Sequence, residues 1–184
     1  MKPLILASGS PRRAKILRDL GVDFEIVKTE AVEVSIPHDP VRTVTENALA
    51  KLRAAAGAVE AQRPVLAADT IVWFADRIYG KPRDLDEAKE FLRELSGRTH
   101  VVFTGVAFRS EDGAERTACA ESHVTFRELS EATIADYVAR VHPTDRAGAY
   151  DIDESGDLIV ASYTGSYENI MGLPVEPLRA FGIG

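Results

Sequence analysis

One carboxylate and four basic side chains are the residues of this sequence with the clearest potential for chemistry. Arg12 and Arg13 fall in the first turn of one predicted helix, and Lys51 lies on or beside the apolar stripe of another. Lys81 lies in a predicted loop between a strand and a helix, and Asp69 interrupts an otherwise apolar predicted strand. Basic groups together with a carboxylate suit the handling of a phosphate chain and a divalent cation.

The segment 4–13 predicts a strand, a tight turn and the start of a helix. Ser10 is a favourable N-cap, and Pro11 suits the first helical position. Cations in the first turn oppose the helix dipole by about 0.3–1 kcal/mol each, so Arg12 and Arg13 make sense there if a multiply charged anion binds among them. The alternative is a pair of solvated arginines that form ion pairs with Asp or Glu elsewhere, and this stretch alone favours neither.

The segment Val65–Trp73 predicts a central strand that is apolar on both faces apart from Asp69. A buried carboxylate is costly unless it is paired or binds a metal. An Asp at a strand end can simply cap a turn, but here apolar residues continue for three positions beyond Thr70. Asp69 is therefore the strongest single candidate for chemistry.

The two lysines each allow an ordinary interpretation as well as a functional one. From Val41 onward apolar residues recur at helical spacing, and Lys51 on or beside that stripe either snorkels to the surface, the commoner case, or points into a cleft. Lys81 precedes a capping box that begins at Asp84, and loops in such positions often hold binding residues. Without supporting neighbours, an exposed loop lysine would be the better interpretation of Lys81.

The rest of the chain predicts further strands and helices. Helices are expected after Asp84, after Ser130 and near the end of the chain; strands are expected at 24–27, 101–108 and 122–127, and as a pair at 147–152 and 158–161. The segment 151–156 matches the opening of a calcium-binding loop. Its twelfth position would be Ser162 and strands flank it, so we interpret it as a solvated acidic hairpin turn.

Composition narrows the class of protein. The 184 residues, 45% of them hydrophobic, can bury a sizeable core and predict one domain or one bilobed unit. A net charge of −7 argues against a nucleic-acid or anionic-membrane binder, although it allows a local basic pocket. No apolar run approaches the roughly 18 residues of a membrane span, and the N-terminal residues do not match a signal peptide. We therefore expect a soluble cytoplasmic protein.

Six short blocks, taken together and in order, resemble the Maf family of nucleoside triphosphate pyrophosphatases over essentially the whole chain. The blocks are Ser8–Arg13, Ala68–Thr70, Gly80–Pro82, Leu95–His100, Ala147–Tyr150 and Gly165–Pro174. The resemblance implies an α/β fold with a mixed, strongly curved central sheet flanked by helices and two lobes around a cleft, related to inosine triphosphate pyrophosphatases. It further implies a single domain over residues 1–184 and a possible homodimer.

The resemblance also implies a reaction and a set of residues that perform it. The reaction is hydrolysis of a nucleoside triphosphate between the α and β phosphates, with Mg²⁺ or Mn²⁺ as the divalent metal. Asp69 matches the family's proposed proton acceptor, and Glu33 most simply matches its acidic residue after the second strand. The residues that match its substrate-binding positions are Ser8, Arg12, Arg13, Lys51 and Lys81. Our hypothesis is that Asp69 accepts the proton of the attacking water or holds the metal, and that Glu33 completes the metal site.

One departure from the family pattern bears on the substrate. Where many relatives read Gly-Ile-Gln-Gly after Ala-Gly-Ala-Tyr, this chain reads Asp151-Ile152-Asp153-Glu154. A carboxylate at Asp153 cannot reproduce the paired donor and acceptor of an amide. The Gly165-Ser166-Tyr167 ending resembles the branch that acts on dTTP and UTP, so these and modified pyrimidine nucleotides are the expected substrates. Selectivity is expected to depend on Arg12, Thr70 and Asp153.

Two other functions compete with this one. The first is a regulatory nucleotide-binding protein without significant turnover, because the family's name is linked to inhibition of septum formation. A carboxylate inside a phosphate pocket argues for turnover instead, since it would repel a bound phosphate unless a metal intervened. The second is a pyrophosphatase for 7-methyl-GTP or inosine triphosphate. The Ser-Pro-Arg-Arg start weighs against the inosine triphosphate alternative.

Overall fold

The computed structural model describes residues 2–59 and 62–184. Its helices are α1 (Pro11–Asp19), α2 (Pro40–Ala58), α3 (Leu85–Leu95), α4 (Glu131–Val141), α5 (Tyr167–Ile170) and α6 (Val175–Ala180). Its strands are β1 (Leu4–Leu6), β2 (Phe24–Ile26), β3 (Val65–Phe74), β4 (Arg77–Tyr79), β5 (Thr99–Arg109), β6 (Glu115–Phe126) and β7 (Val160–Thr164). Within these ranges, no helix combines the length and the apolar character needed to cross a bilayer.

The strands form one mixed sheet of seven strands over the described residues. Their order is β2-β1-β3-β5-β6-β7, and β4 pairs with the C-terminal end of β3. Strand β1 is parallel to β2 and to β3, whereas the pairs β3–β4, β3–β5, β5–β6 and β6–β7 are antiparallel. The mixed α/β sheet flanked by helices that the sequence predicts is thereby confirmed.

Strand β3 contributes to separate hydrophobic cores along its length. Near its start, alternate residues pack against α1 and α6 on one face and against α2 on the other. Near its end, Val72 belongs to a third core formed mainly by α3 and α4. Asp69 lies between these regions and is 7% exposed. The central carboxylate predicted from the apolar run is therefore buried in a strand, and it does not cap a turn.

Helix α2 approaches the sheet unusually closely beside Asp69. Gly105 of β5 is the direct partner of Asp69 in the antiparallel register. A Cβ atom at Gly105 would lie 2.5 Å from the carbonyl carbon and oxygen of Val44 in α2, closer than real Cβ atoms come. The absence of a side chain at Gly105 therefore sets the distance between α2 and the sheet at the level of Asp69.

The predicted pair of strands at 147–152 and 158–161 is wrong. Residues 147–149 form a short 3₁₀ turn, no strand lies between the end of β6 at Phe126 and the start of β7 at Val160, and β7 pairs with β6. Gly148 has a φ of +66°, and a Cβ there would lie 2.6 Å from Val72 Cγ2, so the turn packs directly on β3. The apolar residues of this segment that suggested strands, Ala149, Tyr150 and Ile159 among them, instead fill the core formed by α3 and α4.

We predict that His100 makes the fold sensitive to acid. Its ring is 1% exposed, Nε2 lies 2.9 Å from the hydroxyl of Tyr150, and Nδ1 has no hydrogen-bond partner among the described residues. Burial lowers the pKa of His100 from 6.5 to about 3. As the pH falls, the unfolded chain therefore binds a proton at His100 near pH 6.5, whereas the folded protein does not bind it until about pH 3. The folded protein consequently loses stability as the pH falls through that interval.

This loss can be measured by urea denaturation. The contribution of His100 to the free energy of unfolding should fall by about 2 kcal/mol between neutral pH and about pH 5, at about 1.4 kcal/mol per pH unit. In His100→Gln, which does not titrate, the decline over the same interval should be smaller by that amount. Equal declines in the two proteins would show that His100 is not the acid-sensitive group.

Candidate active site

A cleft of about 850 Å³ lies beside the centre of β3. It is lined by the β1–α1 turn, the segment after β2, one face of α2, the middle of β3, the β4–α3 loop and residues 145–151 and 170–172. Eight of the nine predicted site residues line it: Ser8, Arg12, Arg13, Glu33, Lys51, Asp69, Thr70 and Lys81. The fold thus brings together residues that are up to 73 positions apart in the sequence.

Helix α2 presents a polar row to this cleft. Thr43, Asn47 and Lys51 recur every four residues and line the cleft, next to the buried apolar row that includes Val44 and Leu52. The Lys51 side chain is 18% exposed and points at Asp69. Of the two orientations open for Lys51, the structure has the one in the cleft, because Gly105 lets α2 lie close enough to β3 for contact.

Lys51 bridges two carboxylates. Its Nζ lies 2.6 Å from Asp69 Oδ1 and 2.8 Å from Glu33 Oε1, and Asn47 Nδ2 donates to Asp69 Oδ2 at 3.0 Å. Partial burial raises the pKa of Glu33, but the hydrogen bond and charge of Lys51 outweigh it, so the pKa of Glu33 lies below its ordinary value. The charge of Lys81 acts on Glu33 in the same direction. The cleft thus contains two carboxylates around one ammonium group.

The guanidinium of Arg13 joins three parts of the cleft wall. Its Nη1 donates to Ser8 Oγ at 3.1 Å, its Nη2 to Thr70 Oγ1 at 3.0 Å and its Nε to the carbonyl oxygen of Gly172 at 2.7 Å. Burial lowers the pKa of Arg13 to about 10, and the charge of Asp69 partly offsets that effect. Arg13 therefore remains a cation at neutral pH and lines the cleft.

Arg12 and Arg146 share a buried carboxylate. Asp151 is 6% exposed, and its Oδ2 lies 3.2 Å from Arg12 Nη1 and 3.1 Å from Arg146 Nε. Its Oδ1 accepts from the backbone N–H of Asp153 at 2.9 Å. The predicted solvated acidic hairpin turn is therefore wrong, because the first acidic residue of the segment is buried and paired with two arginines. Arg12 has the ion pair considered for it in the sequence, whereas Arg13 donates to neutral oxygens.

Asp153 is the predicted site residue that lies apart from the others. Its side chain is exposed, Oδ1 accepts from the hydroxyl of Tyr167 at 3.0 Å, and it is absent from the described lining of the cleft. In this part of the chain the cleft is lined by Tyr150 and Asp151 instead.

The polar residues of the cleft that sequence reasoning missed include Lys28, Asn47, Arg146 and Asp151. Asn47 could have been found, since it lies one helical turn before Lys51 on the same face. Lys28 lies in an irregular segment, and its Cε would be 3.3 Å from a Cβ at Gly9. For Arg146 and Asp151 no local pattern exists, because only the tertiary fold brings their segment to the cleft.

The net charge of the cleft is opposite in sign to the net charge of the whole chain. Its described lining contains six basic side chains and four acidic ones, an excess of two positive charges in a protein with a net charge of −7. The basic residues are Arg12, Arg13, Lys28, Lys51, Lys81 and Arg146, and the acidic residues are Glu33, Asp69, Asp145 and Asp151. Such a locally positive concavity favours a small, multiply charged anion.

Two carboxylates of the cleft, Glu33 and Asp69, are the groups that could contribute to a divalent-metal site. In the part of the chain that the structure describes, no three His, Cys, Asp or Glu side chains form a complete metal site. Mg²⁺ is commonly held by only one or two carboxylates, with substrate phosphates and water supplying the other oxygens. Glu33 and Asp69, whose oxygens already flank one cation, the Lys51 ammonium, fit this incomplete kind of site.

Comparison with known proteins agrees with these features. The family model described as "Maf-like protein" matches residues 3–181. A dTTP/UTP pyrophosphatase of Bacillus cytotoxicus is 44% identical over 179 residues, which cover 97% of this chain and 93% of that protein. A dTTP/UTP pyrophosphatase of Bacillus cereus is also 44% identical, over 97% of this chain and 87% of that protein.

A solved structure supports the fold independently. The Ham1 protein of Staphylococcus aureus superposes with a TM-score of 0.51 at 15% identity, over 69% of this chain and 73% of that one. At this identity the likeness concerns the fold alone. The family model and the 44% identical relatives each cover nearly the whole chain, and they confirm the resemblance noted in the sequence: the chain belongs to the Maf family.

Proposed function

We propose that this protein hydrolyses nucleoside triphosphates between the α and β phosphates and releases a nucleoside monophosphate and pyrophosphate. The observation that carries the proposal is the buried Asp69, held by Lys51 beside Glu33 in a cleft with an excess of positive charge. The names of the 44% identical relatives support dTTP and UTP as the substrates. Neither the regulatory alternative nor a 7-methyl-GTP or inosine triphosphate substrate has such support.

The basic residues of the cleft bind and orient the phosphate chain. Arg12 and Arg13 belong to the first turn of α1, whose N-terminus also favours an anion, and Lys81 lines the same cleft from the β4–α3 loop. Arginine can contact two phosphate oxygens at once, whereas lysine supplies a mobile point charge. The same cations stabilise the negative charge that develops on the leaving pyrophosphate.

We propose that Asp69 accepts the proton of the attacking water, or holds the metal, or does both. The anhydride needs no covalent nucleophile, because water can attack if it is positioned and partly deprotonated. Each Asp69 oxygen accepts one hydrogen bond, Oδ1 from Lys51 and Oδ2 from Asn47. These two bonds fix the plane of the carboxylate and leave a second lone pair on each oxygen for the water.

Glu33 and Asp69 would hold a divalent cation, Mg²⁺ or Mn²⁺, together with oxygens of the substrate. When bound, such a cation supplies positive charge that polarises the phosphoryl group. Lys51, which contacts both carboxylates, keeps them together in the free protein.

Recognition of the base is assigned to the part of the cleft near Arg12 and Thr70. Thr70 donates to or accepts from Thr104 at 3.0 Å and accepts from Arg13, so it is fixed in orientation. A direct role for Asp153 would require its side chain to leave Tyr167 and turn toward the cleft.

The proposed function also includes an oligomeric state and a cellular location for this protein. We propose a single bilobed domain over residues 1–184 that forms a homodimer, which sedimentation equilibrium would test. Free nucleoside triphosphates are metabolites of the cytoplasm, so the proposed activity implies that location.

The test is pyrophosphate release from dTTP, UTP, 5-methyl-UTP, CTP, 7-methyl-GTP and ITP, each with and without Mg²⁺ or Mn²⁺. We expect metal-dependent release, with kcat/KM for dTTP and UTP at least about tenfold above that for 7-methyl-GTP and ITP, a preference of about 1.4 kcal/mol in transition-state binding. Binding without release by folded, metal-supplied protein would favour the regulatory alternative. A preference for 7-methyl-GTP or ITP would overturn the assignment of substrate.

A further inference from the structure

We infer that Asn47 is a positioning residue. It fixes the position of the segment that carries Glu33 relative to the carboxylate of Asp69. The inference rests on the proposed function, in which both carboxylates serve the reaction. It is carried by a single buried carboxamide that contacts both elements.

The hydrogen bonds of Asn47 determine the orientation of its side chain. Asn47 is 3% exposed, and its Oδ1 accepts from the backbone N–H of Val34 at 2.7 Å. Its Nδ2 donates to the carbonyl oxygen of Val34 at 3.0 Å and to Asp69 Oδ2 at 3.0 Å. A carboxamide turned by half a rotation would set N–H against N–H at Val34 and oxygen against oxygen at Asp69. The amide therefore fits in one orientation only.

The segment that carries Glu33 depends on such contacts for its conformation. Residues 27–36 contain no helix or strand, and Val34 is 41% exposed, so packing alone does not hold them. Two polar side chains of α2 bind the backbone of this segment: Asn47 at Val34, and Thr43 at Ile36, whose N–H donates to Thr43 Oγ1 at 3.0 Å. Val34 immediately follows Glu33, so the bond pair at Val34 sets the direction from which Glu33 approaches Lys51.

This arrangement couples the two carboxylates without direct contact between them. Asn47 bonds Asp69 through one amide proton and the neighbour of Glu33 through the other, while Lys51 contacts both acids one turn further along α2. Substitution of a side chain that orients such carboxylates typically lowers metal affinity or activity by about 10–100-fold. Thr43 binds the same segment but makes no contact with Asp69, so it provides a matched comparison.

The first measurement uses the free protein and needs no metal or substrate. Amide exchange at Val34 and Ile36 would be followed by NMR in the wild type, Asn47→Leu and Thr43→Val. We expect Asn47→Leu to speed exchange at Val34 by at least about tenfold, because its acceptor is removed. Thr43→Val should speed exchange at Ile36 instead and leave Val34 protected. Retained protection of Val34 in Asn47→Leu would show that Asn47 does not hold the segment.

The second measurement is hydrolysis of dTTP as a function of Mg²⁺. Asn47→Leu is expected to lower kcat by about 10–100-fold and to raise the Mg²⁺ concentration for half-maximal rate, with KM for dTTP changed by less than about threefold. Thr43→Val should lower kcat by less than about threefold. A purely structural role for Asn47 would predict similar losses in the two variants, and that result would overturn the inference.

Two further variants complete the test. Asn47→Asp, which has nearly the same shape, keeps the acceptor for the Val34 N–H but removes the donor to the Val34 carbonyl and to Asp69. It should retain more protection of Val34 than Asn47→Leu does and still lose kcat. Combining Asn47→Leu with Glu33→Gln should cost less than the product of the single losses, because both act through the position of one carboxylate. Multiplicative losses would contradict this. If the wild type hydrolysed no triphosphate, the proposed function would fail, while amide exchange would still show whether Asn47 holds the segment.

Discussion

Asp69→Asn is expected to lower pyrophosphate release from dTTP by about 10³-fold or more, in the upper part of the range for loss of a general base, while the protein stays folded. The amide cannot accept a proton from water, and it carries no charge to hold a cation. It also meets two donors, Lys51 and Asn47, with only one acceptor oxygen, so we expect a loss of about 1–3 kcal/mol in the free energy of unfolding. Single-turnover kinetics, urea denaturation and circular dichroism would measure these effects.

The matched control is Asp151→Asn, the same substitution at another buried carboxylate of the cleft. Asp151 is paired with Arg12 and Arg146 and does not contact Lys51. Its loss should reduce stability and substrate affinity but lower kcat by less than about tenfold, a change of less than about 1.4 kcal/mol in the activation barrier. Turnover retained in Asp69→Asn would remove Asp69 from the mechanism, whatever the effect of Asp151→Asn.

Arg13→Lys should combine a large loss of activity with a large loss of stability. A single ammonium group cannot reach Ser8, Thr70 and Gly172 in the way that three guanidinium nitrogens do. Buried oxygens left without their donors cost about 1–3 kcal/mol each, so we expect the free energy of unfolding to fall by about 2–4 kcal/mol. The walls of the cleft would also lose their connection, and kcat/KM should fall by about 10²-fold, as happens when substrate-positioning groups shift by about 1 Å.

Arg12→Lys is the comparison for this prediction. Arg12 is the adjacent residue, its side chain is 21% exposed, and in the structure it makes one ion pair, at 3.2 Å to Asp151. Its replacement should cost less than about 1 kcal/mol of stability, because a lysine keeps the positive charge near Asp151 and Arg146 still donates to that carboxylate. Equal losses of stability in Arg12→Lys and Arg13→Lys would show that the three bonds of Arg13 do not hold the cleft together.

The sequence predicts best what depends on local patterns. The N-caps Ser10, Asp84 and Ser130 are found where their residue types indicate, and the apolar run around Asp69 forms β3. In each case the pattern that defines the helix or strand lies within its own residues, so the local sequence is enough to predict it. Five of the eight predicted residues in the cleft belong to helices or strands, and Ser8 and Lys81 each lie two residues beyond a strand. Glu33 is the exception, in the irregular segment after β2.

Prediction failed where tertiary packing gives a segment its shape. The apolar residues around Tyr150 alternate like those of a strand, but they serve the core between α3 and α4 from an irregular segment. The burial of Asp151 follows from two arginines, one of which, Arg12, lies 139 residues away. The orientation of Lys51 depends on how closely α2 approaches Gly105, and no periodicity within α2 records that distance.

The positive cleft in an acidic protein affects how different polyanions meet this surface. At physiological ionic strength charges are screened beyond about 8 Å, so a nucleotide that reaches the mouth responds mainly to the cations beside it. A nucleic-acid chain is far longer than the cleft, and its flanking phosphates would lie against the remaining surface, where acidic residues outnumber basic ones. We therefore expect the distribution of charge that would admit a single triphosphate to repel the polymer made from it, so that the proposed activity would select free nucleotides in the presence of DNA and RNA without any contact that recognises chain length.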